Sequence, residues 1–142
     1  MIIKKQNKEL LLKDICERLP YDIKVLYNNK VYSIDYVSGI YEEIKLDNSN
    51  DNYTLNISNV KPYLFPLSSM TEHQKIECFK EAPLIIDEDG DIVVKEDDWG
   101  SSPYTTLEIY LKVIDWLNTH HFDYRGLIEK GLAIDATELN IY

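Results

Sequence analysis

The first twenty residues carry hydrophobic positions at helical spacing. They form one stripe in the segment NKELLLKDICERLP, consisting of Leu11, Leu12, Ile15, Cys16 and Leu19. The pattern predicts an N-terminal helix that is capped by Asn7 and ended by Pro20. The opposite, charged face of this helix is assigned to Lys8, Lys13, Glu17 and Arg18.

After this helix the hydrophobic period changes to two, which is typical of half-buried strands. The alternating positions are Val25 and Tyr27, then Tyr32, Ile34 and Tyr36, then Ile40, Ile44 and Leu46, and finally Tyr53, Leu55 and Ile57. The turn segments NNK, SG and DNSNDN separate the four runs, and NNK is suited to positive φ. With the proline-containing segment VKPYLFPL that follows, the pattern predicts a small SH3-like antiparallel β-barrel or a curled open sheet.

The second half of the chain is predicted to be mainly helical. Ser69 and Glu72 have capping-box spacing for a helix that runs to about Ala82, and a hairpin over 84–95 follows. A second box, Thr105 with Glu108, opens a long helix that is predicted to be central and mostly buried, because its polar stripe is narrow. The predicted fold is therefore α+β in a single domain over 1–142, with a β-rich half (1–68) and a helical half (69–142).

Composition excludes several classes of function. The 142 residues carry a formal net charge of −10, which argues against non-specific nucleic-acid binding. The chain has no apolar run of about 18 residues and no signal-peptide pattern, so we expect no membrane association and a cytoplasmic location. Cys16 and Cys78 lie far apart without CxxC spacing and are predicted to be reduced, buried thiols.

The densest group of reactive side chains is HHFDYRG, residues 120–126. Adjacent His120 and His121 would diverge by about 100° on a helix and cannot share one metal ion there. A helix corner explains the segment as well: Asp123 would cap a short helix over 124–130, and Gly131 would take the left-handed position that ends it. We therefore predict a structural corner, with no metal site, no cofactor and no catalytic residue.

An acidic segment, DEDGDIVVKEDDWG, covers the predicted hairpin and the residues after it. A calcium loop of the EF-hand type does not fit, because Gly90 at the sixth position would put Ile85 where the first carboxylate is needed. Solvated carboxylates, or an acidic contact surface, explain the segment better.

Two segments carry a resemblance. KPYLFPLSSMTE (61–72) and VIDWLNTHHFDYRGLIEKGLAI (113–134) resemble a set of small uncharacterised proteins encoded by phages and prophages of gut Bacteroidales. In that set an arginine is common where Phe65 stands here. The resemblance implies a mobile-element origin and a bacterial host, and it transfers no catalytic or binding residue.

Three functional hypotheses follow. The favoured one is a non-enzymatic binding protein, an accessory or host-interaction and anti-defence factor, whose partner is a host or phage protein. The alternative is a small-molecule binder that captures a nucleotide signal, and the third is a hydrolase that uses His120, His121 and Asp123. The candidate binding residues are His120, His121, Tyr124, Arg125, Lys61 and Tyr63. The identity of the partner and the oligomeric state are left open.

Overall fold

The computed structural model describes residues 5–47, 54–80, 84–89, 91–94 and 106–142. Their helices and strands, in chain order, are α1 (Lys5–Arg18), β1 (Lys24–Tyr27), β2 (Lys30–Ser38), β3 (Glu43–Leu46), β4 (Leu55–Asn56), β5 (Lys61–Pro66), α2 (Glu72–Phe79), β6 (Leu84–Ile86), β7 (Ile92–Val94), α3 (Thr106–Thr119), β8 (Phe122–Asp123) and β9 (Ile134–Asp135).

The main sheet is mixed and has seven strands in the order β4-β3-β2-β1-β5-β8, with β9 also paired to β5. Strands β1 to β4 form an antiparallel meander, and β5 pairs antiparallel with β1. The two short C-terminal strands, β8 and β9, pair parallel with β5. The predicted α+β class is confirmed, and the sheet is not closed into a barrel. Strand β5 joins the N-terminal meander to the C-terminal segment, so it places the two halves of the chain side by side.

Helix α1 packs on the sheet through a face different from the predicted one. Leu11 and Ile15 are buried as expected, but Arg18, assigned to the charged face, is fully buried. Cys16, predicted to be buried, is exposed. Asn7 lies inside the helix and cannot be its cap. The buried face has shifted because Asp14 pairs with Arg18, which lets a charged pair replace an apolar contact.

Helix α3 is amphipathic and only partly buried, which corrects the prediction of a central helix. Val113 and Leu117 are buried in a second cluster with Met70, Cys78 and Phe122. Leu107 is 67% exposed and Leu111 is 59% exposed. The narrow polar stripe led to the wrong prediction, because hydrophobic residues also cover part of the solvent-facing side.

Several local predictions need correction or confirmation. The α2 capping box is formed by Thr71 and Gln74, two residues after the predicted start at Ser69. Ile40 is 89% exposed in the β2–β3 turn and belongs to no strand. The hairpin is confirmed, with β6 and β7 paired antiparallel. The box at Thr105 lies outside the described residues.

Within the described residues, no helix has the length and apolar character needed to cross a membrane.

Candidate functional site

The corner 120–126 follows α3 and turns the chain into β8, so that it lies beside β5. The predicted helix over 124–130 does not form, and this stretch consists of turns. The carboxylate of Asp123 nevertheless accepts hydrogen bonds from the backbone N–H groups of Arg125, Leu127 and Ile128 at 3.3, 3.0 and 2.9 Å. Asp123 thus organises the turns in the way that a capping residue organises the start of a helix.

Gly131 has a φ of 72°, in the left-handed region that its position was predicted to require. Leu132 N–H donates to Leu127 O at 2.9 Å and Gly131 N–H donates to Ile128 O at 3.1 Å. These are the two hydrogen bonds of a Schellman motif, formed here at the end of a series of turns and not at the end of a helix.

Arg125 and Tyr124, two candidate binding residues, are held in an ionic network with α1. Arg125 Nη1 donates to Asp14 Oδ1 at 2.7 Å, and Nη2 donates to Glu17. Arg18 Nε donates to the other oxygen of Asp14 at 2.8 Å. Burial opposes the charge of Arg125, but its hydrogen bonds to Glu17 and Asp14 outweigh burial and raise its pKa. These side chains therefore fasten the corner to α1.

Four further contacts involve the residues of this network. The Tyr124 hydroxyl donates to Asn118 Oδ1 at 2.8 Å, which ties the corner to α3. The guanidinium carbons of Arg18 and Arg125 lie 5.1 and 4.7 Å from the centroid of the Tyr124 ring. Arg18 Nη2 donates to the backbone oxygen of Phe122 at 2.7 Å. A single aromatic ring thus lies against two guanidinium groups, a contact that adds cation–π attraction to the ion pairs.

The two histidines differ in surroundings. The His120 ring stacks on Trp116 with centroids 3.9 Å apart, and its Nδ1 lies 2.9 Å from Trp116 O. His121 is 9% exposed, and its ring stacks on that of Tyr142 with centroids 3.7 Å apart. Burial, followed by the charge of Arg18, lowers the pKa of His121 to about 4, so the ring is neutral near pH 7.

His121 adopts a φ of 64°, a left-handed conformation in which glycine is preferred. Its backbone ends α3, and its carbonyl accepts a hydrogen bond from Phe65 N–H at 2.8 Å. Its Nδ1 is buried and, in the part of the chain that the structure describes, has no hydrogen-bond partner. A strained backbone together with an unsatisfied buried nitrogen is more typical of a site than of a stabilising contact.

Both histidines line a groove of about 410 Å³ between the ends of α2 and α3, β5 and the C-terminal segment. We call it the histidine groove. Its described lining residues are Phe65, Ser69, Thr71, Gln74, Thr119, His120, His121, Phe122, Thr137 and Tyr142. The volume is within the range of about 300–1,000 Å³ that is usual for small-molecule sites, and aromatic walls with a few polar groups are the usual lining.

Tyr142 closes one side of the groove and is held at its hydroxyl end. The hydroxyl donates to Tyr63 O at 2.8 Å and accepts from Lys24 N–H at 3.0 Å. Tyr142 as a residue is 41% exposed, whereas burial of its hydroxyl raises the pKa of that group. Tyr142 is thereby fixed to β1 and β5, which keeps its ring stacked on His121.

Lys61 and Tyr63, the other two candidate binding residues, do not line the histidine groove. Lys61 is exposed at the start of β5, and Tyr63 is 6% exposed. Of the candidate binding residues, His120 and His121 line the histidine groove, whereas Tyr124 and Arg125 contact each other in the network with α1. Sequence analysis missed Tyr142, Thr137 and Gln74, which are distant in the chain and belong to no motif.

The acidic hairpin lies on the other side of the corner, where Asp89 and Asp91 line a cleft with Asp123 and Tyr124. Carboxylate oxygens of Asp87, Asp89 and Asp91 lie within 4.8 Å of one another. Asp87 Oδ1 accepts from the backbone N–H groups of Asp89 and Asp91 at 3.0 and 2.9 Å. This turn hydrogen bonding is sufficient to explain the grouping, since Asp side chains commonly bond their own turn.

No family model, curated protein or solved structure matches this chain.

Proposed function

We propose that this chain is a non-enzymatic binding protein whose ligand site is the histidine groove. The observation that carries the proposal is His121, a residue only 9% exposed, in a left-handed backbone conformation, with a buried ring nitrogen that has no partner among the described residues. A histidine in a position that favours glycine costs stability, and a ligand that satisfies its ring would offset that cost.

Binding is favoured over hydrolysis by the contacts of the three side chains that the hydrolase hypothesis requires. Both carboxylate oxygens of Asp123 accept hydrogen bonds from backbone N–H groups. This carboxylate therefore orients the turn, and it does not orient either histidine. His120 is bonded to the Trp116 carbonyl, and His121 is stacked on Tyr142. A catalytic dyad needs a hydrogen bond between base and orienting carboxylate, and the described contacts include none between these groups.

The proposal can be tested by recording ¹H–¹⁵N correlation spectra while a fragment library is added at millimolar concentration. We expect binding fragments to shift the backbone signals of His121, Phe122 and Thr137. His121→Asn should weaken those shifts, because asparagine tolerates the left-handed backbone but lacks the ring. His73→Asn, which changes an exposed histidine on α2 outside the groove, is the matched control. Shifts confined to other surfaces, or no shifts at all, would refute the proposal.

A second candidate function is protein binding, and the exposed side of α3 favours it. Leu107, Tyr110 and Leu111 are 67%, 42% and 59% exposed at i, i+3 and i+4 spacing, and Ile76 on the neighbouring α2 is 67% exposed. Exposed apolar groups that form one stripe are typical of contact surfaces. The resemblance to phage proteins supports a bacterial host protein as the partner, with a role for the chain in host interaction or anti-defence.

This candidate predicts that Leu111→Glu abolishes capture of one specific protein from Bacteroidales lysate, as measured by quantitative mass spectrometry. Leu111 is the residue to change because its exposure makes a folding defect unexpected. Glu129→Lys, at an exposed position outside this stripe, serves as the surface-charge control. Identical capture by the wild type and Leu111→Glu would contradict the second candidate.

A further inference from the structure

The hydroxyl groups of the histidine groove offer lone pairs and few protons. A hydroxyl has one proton to donate and two lone pairs to accept with. Three of the four serine and threonine side chains of its lining donate that proton to an oxygen that can only accept. They are Ser69 to Pro66 O at 2.7 Å, Thr119 to Asp115 O at 2.7 Å, and Thr137 to the Asp135 carboxylate. Each of these hydroxyl oxygens can therefore accept a hydrogen bond from a ligand but has no free proton to donate.

His120 adds another acceptor. Its Nδ1 lies 2.9 Å from the Trp116 backbone oxygen, and a carbonyl oxygen cannot donate, so Nδ1 carries the proton. In the neutral ring, Nε2 is then the nitrogen with a free lone pair. His121 adds no positive charge near pH 7, since burial lowers its pKa to about 4.

The groove is poorly suited to phosphate. None of its described lining residues is Lys or Arg, the residues that normally bind phosphate groups. The N-terminus of α2 reaches the groove at Thr71, but its capping box directs Thr71 Oγ1 and Gln74 Oε1 to the helix's own N–H groups at 3.2 and 2.9 Å. Glu72 adds a carboxylate in the first turn. These features weaken the attraction that a helix N-terminus would have for an anion.

The surroundings favour a cation instead. Phe65 lies between Phe122 and Tyr142, with both pairs of ring centroids 5.9 Å apart, and aromatic faces attract cationic groups. The Asp135 carboxylate accepts a hydrogen bond from the Thr137 hydroxyl, which places a negative charge next to one lining residue of the groove. The formal charge of −10 also attracts cations to the whole molecule.

We infer that the ligand of the histidine groove carries a flat, N–H-rich cation of the amidinium or guanidinium type, and not a phosphate or carboxylate. This inference rests on the proposed binding function and specifies the ligand class. It also argues against the nucleotide signal considered from the sequence. Such a cation occurs on small amidines and on arginine side chains, and the two sources can be separated by experiment.

The test compares three probes of nearly equal shape: benzamidine, which is cationic, benzamide, which is neutral, and benzoate, which is anionic. Each is titrated at pH 7.5, and binding is followed through the backbone signals of His121 and Thr137. We expect benzamidine to bind at least about tenfold more tightly than benzamide, and benzoate to show no saturation. N-acetylarginine amide is a fourth probe, and tighter binding of this probe than of benzamidine would identify a peptide side chain as the source.

Thr137→Val tests the acceptor argument, because it keeps the shape of the side chain and removes the oxygen. We expect benzamidine binding to weaken by about five- to tenfold. Thr54→Val is a matched control, since Thr54 also donates its hydroxyl proton to a carboxylate, that of Glu43 at 2.6 Å, but lies outside the groove. Benzamidine affinity should be unchanged in this control.

The outcomes separate the inference from the proposed function. Benzoate binding as tightly as benzamidine, or an unchanged affinity in Thr137→Val, would overturn the cation inference while the groove remained a binding site. The same holds if library fragments shift the groove signals and none of the cationic probes does. If neither the probes nor any fragment shifts those signals, the proposed function itself fails.

Discussion

The buried carboxylate of Asp14 is predicted to be essential for stability. It is fully buried and accepts charged hydrogen bonds from Arg18 at 2.8 Å and from Arg125 at 2.7 Å. In Asp14→Ala, Arg125 retains its ion pair with Glu17, but the fully buried Arg18 loses its carboxylate partner and retains the hydrogen bond to the Phe122 backbone and the contact with the Tyr124 ring. Removing one partner of a buried ion pair costs about 3–5 kcal/mol, a large part of the roughly 5–15 kcal/mol that stabilises a typical domain.

Urea unfolding followed by circular dichroism measures this loss. Two further variants separate an uncompensated charge from a general packing defect. Asp14→Leu combined with Arg18→Met removes both charges and should recover at least half of the loss, because apolar residues of similar volume often replace a buried pair without penalty. Lys75→Ala breaks the bridge to Glu72, whose side chain is 86% exposed, and should cost less than about 0.5 kcal/mol. A loss below about 1 kcal/mol in Asp14→Ala, or a double variant less stable than the single one, would refute the reasoning.

Three other predictions can be checked by the same unfolding measurement. The pKa of His121 in the folded chain, about 4, lies below its usual 6.5, so the unfolded chain binds a proton at this ring more readily. The contribution of the neutral His121 ring to the free energy of unfolding is therefore complete above about pH 6.5 and is lost as the pH falls toward 4. The wild type should therefore lose about 2 kcal/mol more than His121→Asn between pH 7 and pH 5, and equal losses would contradict this assignment. Gly131→Val should cost at least about 1 kcal/mol, since a β-branched side chain is strained at a φ of 72°, whereas Gly39→Ala, with nothing within 4 Å of the added Cβ and no positive φ, should be nearly neutral. Leu117→Ala should cost about 2–5 kcal/mol, because Leu117 is fully buried, whereas Leu111→Ala should cost less than about 1 kcal/mol, because Leu111 is 59% exposed. Similar costs for the two variants would contradict the assignment of Leu117 to the buried face of α3 and of Leu111 to its exposed face.

The sequence by itself determined the features that depend on neighbouring residues. Asn28 and Asn29 have φ values of 51° and 64° in the β1–β2 turn, as the NNK segment predicts. Strands β6 and β7 of the acidic hairpin pair as predicted, and Gly131 takes the left-handed conformation. These features are predictable because backbone conformation and side-chain hydrogen bonds over a few residues decide them. The helix predicted over 124–130 failed because Asp123 can bond the same N–H groups in a series of turns.

Only the tertiary structure decided which charged and aromatic groups are buried together. The charge of Arg18 predicts a solvent-facing position on α1. The residue is nevertheless fully buried, and its Nη2 donates to the backbone oxygen of Phe122, 104 positions later. The histidine groove depends in the same way on Tyr142, whose hydroxyl is fixed by Tyr63 and whose ring stacks on His121. Periodicity shows which side of an element can be buried, but it carries no information about which distant segment covers that side. That choice depends on the free energy of packing and desolvation in the whole fold, and it is the choice that creates the candidate site.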